Sequence, residues 1–169
     1  MIPLDKFKMG YFILYLNTGD LFGNAIVKRQ LAAGFPLDHI AYTHIEVSGG
    51  EKYSVNISPP ISKLVDITQA HKGRYTRLVK YKGYDEGGKR YKVAYFSASL
   101  CNKGYDILGI FAFIFRWIKQ NNRLYFCSEG ALWALQMVFP EVLGIKPENC
   151  MPARFLGDEF EIVWEGVIE

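Results

Sequence analysis

The sequence has few cysteines, little net charge and no long apolar segment, and each shortage excludes a class of protein. Its 169 residues include three cysteines, an odd number that argues against a disulfide framework and indicates reduced thiols in a cytoplasmic setting. The formal net charge of +3 is too small to predict a nucleic-acid partner. The longest apolar run, 107–115, is shorter than the roughly 20 residues of a membrane span. We therefore expect no transmembrane segment.

Signals for targeting and for cofactors are also missing. The apolar run at 11–16 is too short for a signal-peptide core and is followed by Asn-Thr-Gly-Asp at 17–20, so we predict no signal peptide. No phosphate-binding loop occurs, which argues against nucleotide binding. His39, His44 and His71 show no metal-ligand spacing with each other or with the cysteines. We therefore expect neither a metal nor a cofactor.

Basic residues cluster between Lys72 and Lys92, where they alternate with tyrosines. The simplest interpretation is a pair of solvated strands with their connecting loop. A phosphate-binding or membrane-surface role is the alternative that this pattern leaves open.

The residues that are present predict one folded domain. Hydrophobic residues make up 50% of the chain, and 12 Phe and 11 Tyr supply a large core. No repeat or linker divides the sequence, so we predict a single domain spanning 1–169. Asp20 caps, and Gly34 ends, a predicted helix at 21–33. The patterns indicate an α+β fold with a central antiparallel sheet flanked by helices. The other predicted elements are strands at 11–16, 42–47, 52–57, 74–81 and 159–166 and helices at 93–101, 107–120 and 128–138.

The predicted strand that contains His44 and the strand after it both alternate between apolar and polar residues. Odd positions from Thr43 to Ile57 are mostly apolar, and even positions are polar. Side chains alternate across a strand, so each strand should have one buried and one polar face. A three-residue connection at 49–51 would place His44 opposite Asn56, about 5 Å apart at Cβ. We expect Asn56 to orient the imidazole, with Glu46 on the same face as the alternative.

Cys127 is the candidate nucleophile because a helical pattern begins directly after it. Ala131 and Leu135 recur at core spacing, which places Cys127 at or next to the helix N-cap. Free backbone N–H groups and the helix dipole favour an anion there, although Glu129 opposes this effect unless it points away. A strand histidine alone is commonly structural, and a cysteine among aromatic residues is commonly inert. A thiol at a helix start beside an imidazole, however, indicates a cysteine hydrolase.

Five short segments occur in a characteristic order along the chain. They are Asn17-Thr18-Gly19-Asp20-Leu21, Thr43-His44-Ile45-Glu46, Tyr53 with Ser58-Pro59, Gly104-Tyr105-Asp106 with Gly109, and Phe126-Cys127-Ser128-Glu129. This order resembles the circularly permuted papain-like branch of the NlpC/P60 superfamily. That branch is the YiiX/YaeF-like group of cysteine amidases and peptidases, which includes phage-encoded members. The resemblance covers roughly residues 10 to 155.

The resemblance implies a permuted papain-like fold and hydrolysis of an amide or ester bond, in cell-wall peptides or acyl conjugates. By position, Cys127 matches the nucleophile and His44 matches the general base. Asn56 matches the third polar residue, where many relatives carry Glu. A thiol protease or amidase of this type is therefore the expected function.

The sequence leaves open which groups contact the oxyanion and whether the protein is catalytic. Backbone N–H groups at the start of the Cys127 helix would hold the oxyanion, with Tyr42, Tyr125 and Ser128 as further candidate contacts. The alternative function is a catalytically inactive binding module of the same fold that recognises peptide or lipid. A related branch handles acyl chains, and the 107–115 stretch with Trp117 would then line an acyl site, although a core helix is its simpler interpretation.

Overall fold

The computed structural model describes residues 3–84, 88–106 and 125–169, and these residues form a mixed α and β structure. The strands are β1 Phe12–Leu16, β2 Tyr42–Gly50, β3 Tyr53–Asn56, β4 Lys63–Asp66, β5 Tyr75–Tyr81 and β6 Phe160–Val167. The helices are α1 Leu21–Ala32, α2 Leu37–Ile40, α3 Ile67–Ala70, α4 Lys89–Ala98 and α5 Cys127–Gln136. Short 3-10 turns cover Leu4–Lys6, Val142–Gly144, Pro147–Asn149 and Pro152–Leu156.

The strands form an open six-stranded sheet in the described part of the chain. Their order is β4-β3-β2-β1-β5-β6, and every neighbouring pair is antiparallel. The predicted α+β fold with a central antiparallel sheet and flanking helices is therefore confirmed. The predicted helix at 107–120 lies outside the described residues. No helix among the described residues has the length and apolar character needed to cross a bilayer.

Both faces of the central strand β1 are buried, so its short apolar sequence fills two cores. Phe12 and Leu14 pack with α5 in the larger core. Ile13 and Tyr15 pack in a smaller core on the opposite face with Ile67 and other apolar residues. This double burial explains why the strand reads as a continuous apolar run rather than as an alternating one.

The start of α1 follows the predicted capping chemistry. The Asp20 carboxylate accepts a hydrogen bond from the Gly23 backbone N–H at 2.8 Å, which satisfies one of the free donors of the first turn. The helix ends at Ala32, and Gly34 follows with a φ of 82°. A positive φ is readily adopted by glycine, so the predicted helix stop is confirmed.

The register of the β2–β3 hairpin differs from the prediction by two residues. Val47 pairs with Val55 and Ser48 with Ser54, and a bulge follows between Ser48 and Gly50. The two strands are joined by a two-residue connection, 51–52, rather than by three residues. The expected pairing of His44 with Asn56 is therefore wrong, because strand alternation fixes which side chains share a face but not the register.

Helix α5 lies close to the end of β3 because Gly130 has no side chain. A Cβ at this position would clash with Ile57 Cδ1 and lie 3.0 Å from Leu100 Cδ1. The close approach holds the first turn of α5, and with it Cys127, against the sheet.

Candidate active site

Cys127 is the first residue of α5, where the helix has backbone N–H groups without intrahelical partners. Phe126 before it is extended, with φ −95° and ψ 171°, so the chain turns sharply into the helix. The Cys127 side chain is 4% exposed and lines an open cavity of about 500 Å³. The thiol thus lies at the positive end of a helix dipole and at a cavity wall.

Glu129 does not place a full negative charge beside the thiol. Its carboxylate folds back and accepts a hydrogen bond from the Phe126 backbone N–H at 3.3 Å. Burial raises the pKa of Glu129 to about 7, although the Phe126 N–H opposes that shift. Near neutral pH the carboxyl group is consequently partly protonated, and its effect on a neighbouring anion is reduced.

His44 lines the same cavity and contacts Cys127. Its side chain is 18% exposed, and its Nε2 lies 3.2 Å from Glu46 Oε1. Burial lowers the pKa of His44, but interactions with Cys127 and Glu46 outweigh that effect and raise it to about 10. The environment therefore favours the imidazolium form of His44 beside the sulfur.

Glu46 is the centre of a buried hydrogen-bond network. Its Oε1 accepts hydrogen bonds from His44 Nε2 and from His71 Nε2, the latter at 2.7 Å. Its Oε2 accepts from the Tyr15 hydroxyl at 3.1 Å and from the Ser54 hydroxyl. Burial raises the pKa of Glu46, but the two histidines overcome this effect and lower it to about 2. Glu46 is therefore an ionised carboxylate with both oxygens occupied.

The side chain that hydrogen-bonds to His44 in the structure is Glu46, the alternative to Asn56 as the orienting residue. Asn56 is 8% exposed and lines the cavity, and its Oδ1 is buried without a hydrogen-bond partner among the described residues. The two-residue shift of the hairpin moves it away from the position opposite His44. The structure thus brings Asn56 to the same cavity as Cys127 and His44, but in a different place from the one expected.

The three other candidate contacts are not among the described residues that line the cavity. Tyr42 packs in the large core with the Arg77 guanidinium 4.9 Å above its ring, and burial raises its pKa to about 12. Tyr125 packs against Trp133, with ring centroids 5.6 Å apart. The Ser128 hydroxyl is buried and donates to the Cys150 carbonyl at 2.7 Å. The contacts given for these three side chains are thus with the core and with neighbouring backbone.

Tyr105 is the tyrosine that lines the cavity in the described part of the chain, and it was not among the expected contacts. Burial together with the Cys127 charge raises its pKa. The Gly104-Tyr105-Asp106 segment was noticeable in the sequence, but no spacing related it to Cys127. It reaches the site because Tyr105 forms a parallel bridge with Tyr125, two residues before the cysteine.

Other parts of the cavity wall come from the loop after β1, from α1, from the segment after β3 and from the turn before β5. Phe22 and Ile26 supply apolar surface, and Thr18, His71 and Arg74 supply polar groups. Among the residues that the structure describes, no three His, Cys, Asp or Glu side chains are arranged to hold a metal ion. The arrangement is suited to a small organic ligand that meets both apolar and charged surface.

No protein-family model and no curated protein sequence matches this chain.

Proposed function

We propose that this protein is a cysteine hydrolase that cleaves an amide bond with Cys127 as nucleophile, His44 as general base and Glu46 as orienting carboxylate. The observation that carries the proposal is the contact of His44 with Cys127 at the start of α5, beside an open cavity. The resemblance of the sequence to permuted papain-like amidases and peptidases points to the same chemistry. A permuted papain-like fold is part of this proposal, and the α+β architecture is compatible with it.

The network around Glu46 prepares His44 for its role. Because Glu46 Oε1 holds the Nε2 atom at 3.2 Å, Nδ1 is the nitrogen that is left to take the thiol proton. The ionised carboxylate stabilises the resulting imidazolium, as the acidic member of a catalytic triad does. His71 holds the same carboxylate oxygen at 2.7 Å and so limits its movement.

The reaction proceeds through a thioester. The Cys127 thiolate attacks the carbonyl carbon and forms a C–S bond, while backbone N–H groups at the start of α5 and the Tyr105 hydroxyl stabilise the oxyanion. His44 then donates its proton to the amide nitrogen as the C–N bond breaks. In the second half, His44 takes a proton from water, the hydroxide adds to the thioester carbon, and the C–S bond breaks to regenerate the thiolate.

The unpartnered oxygen of Asn56 favours an amide over an ester substrate. A buried carbonyl oxygen without a donor costs free energy, about 1–3 kcal/mol in protein mutational data. Asn56 Oδ1 has no donor among the residues that the structure describes, and Asn56 lines the cavity. An amide substrate supplies an N–H group that satisfies it, whereas an ester does not. Asn56 is therefore assigned a substrate-binding role in place of the orienting role.

The test is hydrolysis of a panel of short acyl amides and peptides, with the acyl-enzyme followed by mass spectrometry. We expect the wild type to release amine and to accumulate a thioester on Cys127, and Cys127→Ser to lose turnover by about 10³-fold or more. Cys101→Ser is the matched control. Cys101 is partly exposed and is not among the described residues that line the cavity, so this variant should keep full activity. Equal hydrolysis by wild type and Cys127→Ser would refute the proposal. Binding of these compounds by both proteins without any product would favour the inactive binding module.

A further inference from the structure

Arg74 is a charged residue of the same cavity that the proposed reaction does not use. It precedes β5, is half-buried and lines the cavity together with Cys127 and His44. Its Nη2 donates to the Leu16 carbonyl at 3.0 Å, and its guanidinium carbon lies 4.9 Å from the centre of the Tyr15 ring. Its Nε is buried and has no hydrogen-bond partner in the described part of the chain.

The charge of Arg74 is not paired within the described residues. Arg77 provides the contrast, because its Nε lies 2.8 Å from a Glu165 oxygen. The two carboxylates whose fields reach Arg74 already have partners: Asp20 accepts from Gly23 N–H and from the Thr18 hydroxyl, and Glu46 accepts four hydrogen bonds. A half-buried guanidinium beside a cavity therefore retains donors and charge for a ligand.

We infer that the substrate carries a carboxylate, which pairs with Arg74 while the scissile carbonyl meets Cys127. This inference rests on the proposed function and names its substrate class: short acyl-amino acids or peptides with a free acid group near the bond that is cleaved. The planar guanidinium matches the two oxygens of a carboxylate. A cavity of about 500 Å³ is of the size that takes a small ligand of this kind.

A carboxylate fits this site better than a phosphate group. Asp20 lies on the cavity wall, and ionised Glu46 lies behind His44 and His71. The His44 imidazolium is already held by Glu46 and Cys127, so Arg74 is the cation of the described cavity lining that is left for a ligand, and the two carboxylates disfavour a second negative charge there. Substrates that place several acid groups in the cavity are disfavoured for the same reason.

The charge preference is tested on Cys127 with two alkylating reagents of similar size, iodoacetate and iodoacetamide. We expect Arg74→Gln to lower the ratio of their rate constants, iodoacetate over iodoacetamide, by about 10-fold to 100-fold, the range of a charge-assisted hydrogen bond. Arg74→Lys keeps the charge but not the planar fork, so its ratio should lie between those of the wild type and Arg74→Gln. The comparison of acids with carboxamides described below covers the case in which Arg74→Gln fails to fold. Arg77→Gln removes an equal charge outside the described cavity lining and should leave the ratio unchanged.

Two outcomes of this experiment overturn the carboxylate site. One is a ratio that does not change in a folded Arg74→Gln protein, and the other is an equal fall in Arg77→Gln. If turnover of every amide is absent but the ratio still depends on Arg74, the proposed hydrolysis fails while the anion site stands. Calorimetric titration of Cys127→Ala with N-acetyl dipeptide acids and their carboxamides provides a readout without chemistry. The site is supported if the Arg74→Gln substitution lowers the affinity of this protein for the acids. It is overturned if Cys127→Ala binds the acids and the carboxamides with equal affinity.

Discussion

The two faces of β2 are equally buried but are held by different forces. Ile45 and Val47 on one face are fully buried among apolar side chains of β1 and α5. Glu46 and Ser48 on the opposite face are also fully buried, yet they lie among hydroxyl, imidazole and carboxylate groups. One face contributes hydrophobic stabilisation, which is not directional, and the other contributes hydrogen bonds, which fix orientation.

The two faces of β2 have different roles. The apolar face docks α5 and so sets where Cys127 lies, because Ala131 and Leu135 of that helix belong to the same core. The polar face sets the orientation of the His44 ring. Glu46 is fixed by hydrogen bonds from Tyr15, Ser54 and His71, and the same carboxylate accepts a hydrogen bond from His44. Substitutions on the polar face should therefore affect activity, together with stability where they break the Glu46 network, whereas conservative substitutions on the apolar face should affect stability alone.

The largest expected effect comes from His44→Gln. Loss of the general base should lower kcat/KM for the amide substrate by about 10²-fold to 10⁴-fold. Glutamine can still donate a hydrogen bond to Glu46 but carries no charge, so the urea midpoint should also fall, and kcat/KM is compared per folded molecule. His39→Gln is the control, because His39 lies on α2 outside the described cavity lining. Equal activity of the two variants would contradict the role of His44.

Glu46→Gln should reduce both stability and activity. A neutral amide cannot accept all four hydrogen bonds that the carboxylate accepts, and breaking a buried charged network typically costs about 3–5 kcal/mol. The matched variant Glu161→Gln removes an exposed carboxylate that pairs with Lys80 at 3.0 Å, for which about 0–1 kcal/mol is expected. Urea denaturation measures the free energy of unfolding of both variants. Equal losses would show that the hydrogen bonds of Glu46 contribute no more to stability than an exposed ion pair.

The same network predicts how stability depends on pH. The pKa of Glu46 is lowered from 4.5 to about 2, so its stabilisation is present above about pH 4.5 and is lost as the pH falls towards 2. The pKa of His44 is raised from 6.5 to about 10, so its stabilisation is complete below pH 6.5 and is lost as the pH rises through 10. These two groups together contribute most between about pH 4.5 and 6.5. In the wild type the urea midpoint should fall as the pH is lowered from about 4.5 towards 2, and this fall should be smaller in Glu46→Gln. An equal fall in both proteins would contradict this assignment.

The smallest effect is expected on the apolar face. Ile45→Val removes one methylene from the core and should cost about 0.5–1.5 kcal/mol. Because the hydrogen bonds of His44 and Glu46 are untouched, kcat/KM per folded molecule should remain within about twofold of the wild type. A large loss of turnover with a small loss of stability would remove the distinction between the two faces.

Local patterns in the sequence were sufficient for five of the six described strands but not for their pairing. The strands around β1, β2, β5 and β6 and the Asp20 cap were predicted to within a few residues, because periodicity and capping are local properties. The short β4, four residues with a charged residue at each end, gave no strand pattern. The register shift arises at a bulge and at Glu51, whose φ is 49°, and neither is encoded in the alternation of residues.

The sequence was sufficient to single out the two side chains that are proposed to react, but not their surroundings. Cys127 and His44 lie beside local signals, a helix start and an alternating strand, and the structure brings them to one cavity. Tyr15 and His71 reach Glu46 from other elements far along the chain, and Tyr105 reaches the cavity through a single bridge. Contacts of this kind depend on tertiary packing, so residue spacing carries no information about them.

The most direct test of the central claim is a comparison of the alkylation rates of Cys127 and Cys101 by iodoacetamide at neutral pH, followed by peptide mapping. Cys127 is 4% exposed, whereas Cys101 is partly exposed and burial raises the pKa of its thiol. If His44 activates the sulfur, Cys127 is modified first despite its lower exposure, and His44→Gln slows its reaction without changing that of Cys101. Faster modification of Cys101, or a Cys127 rate that does not depend on His44, would contradict the account.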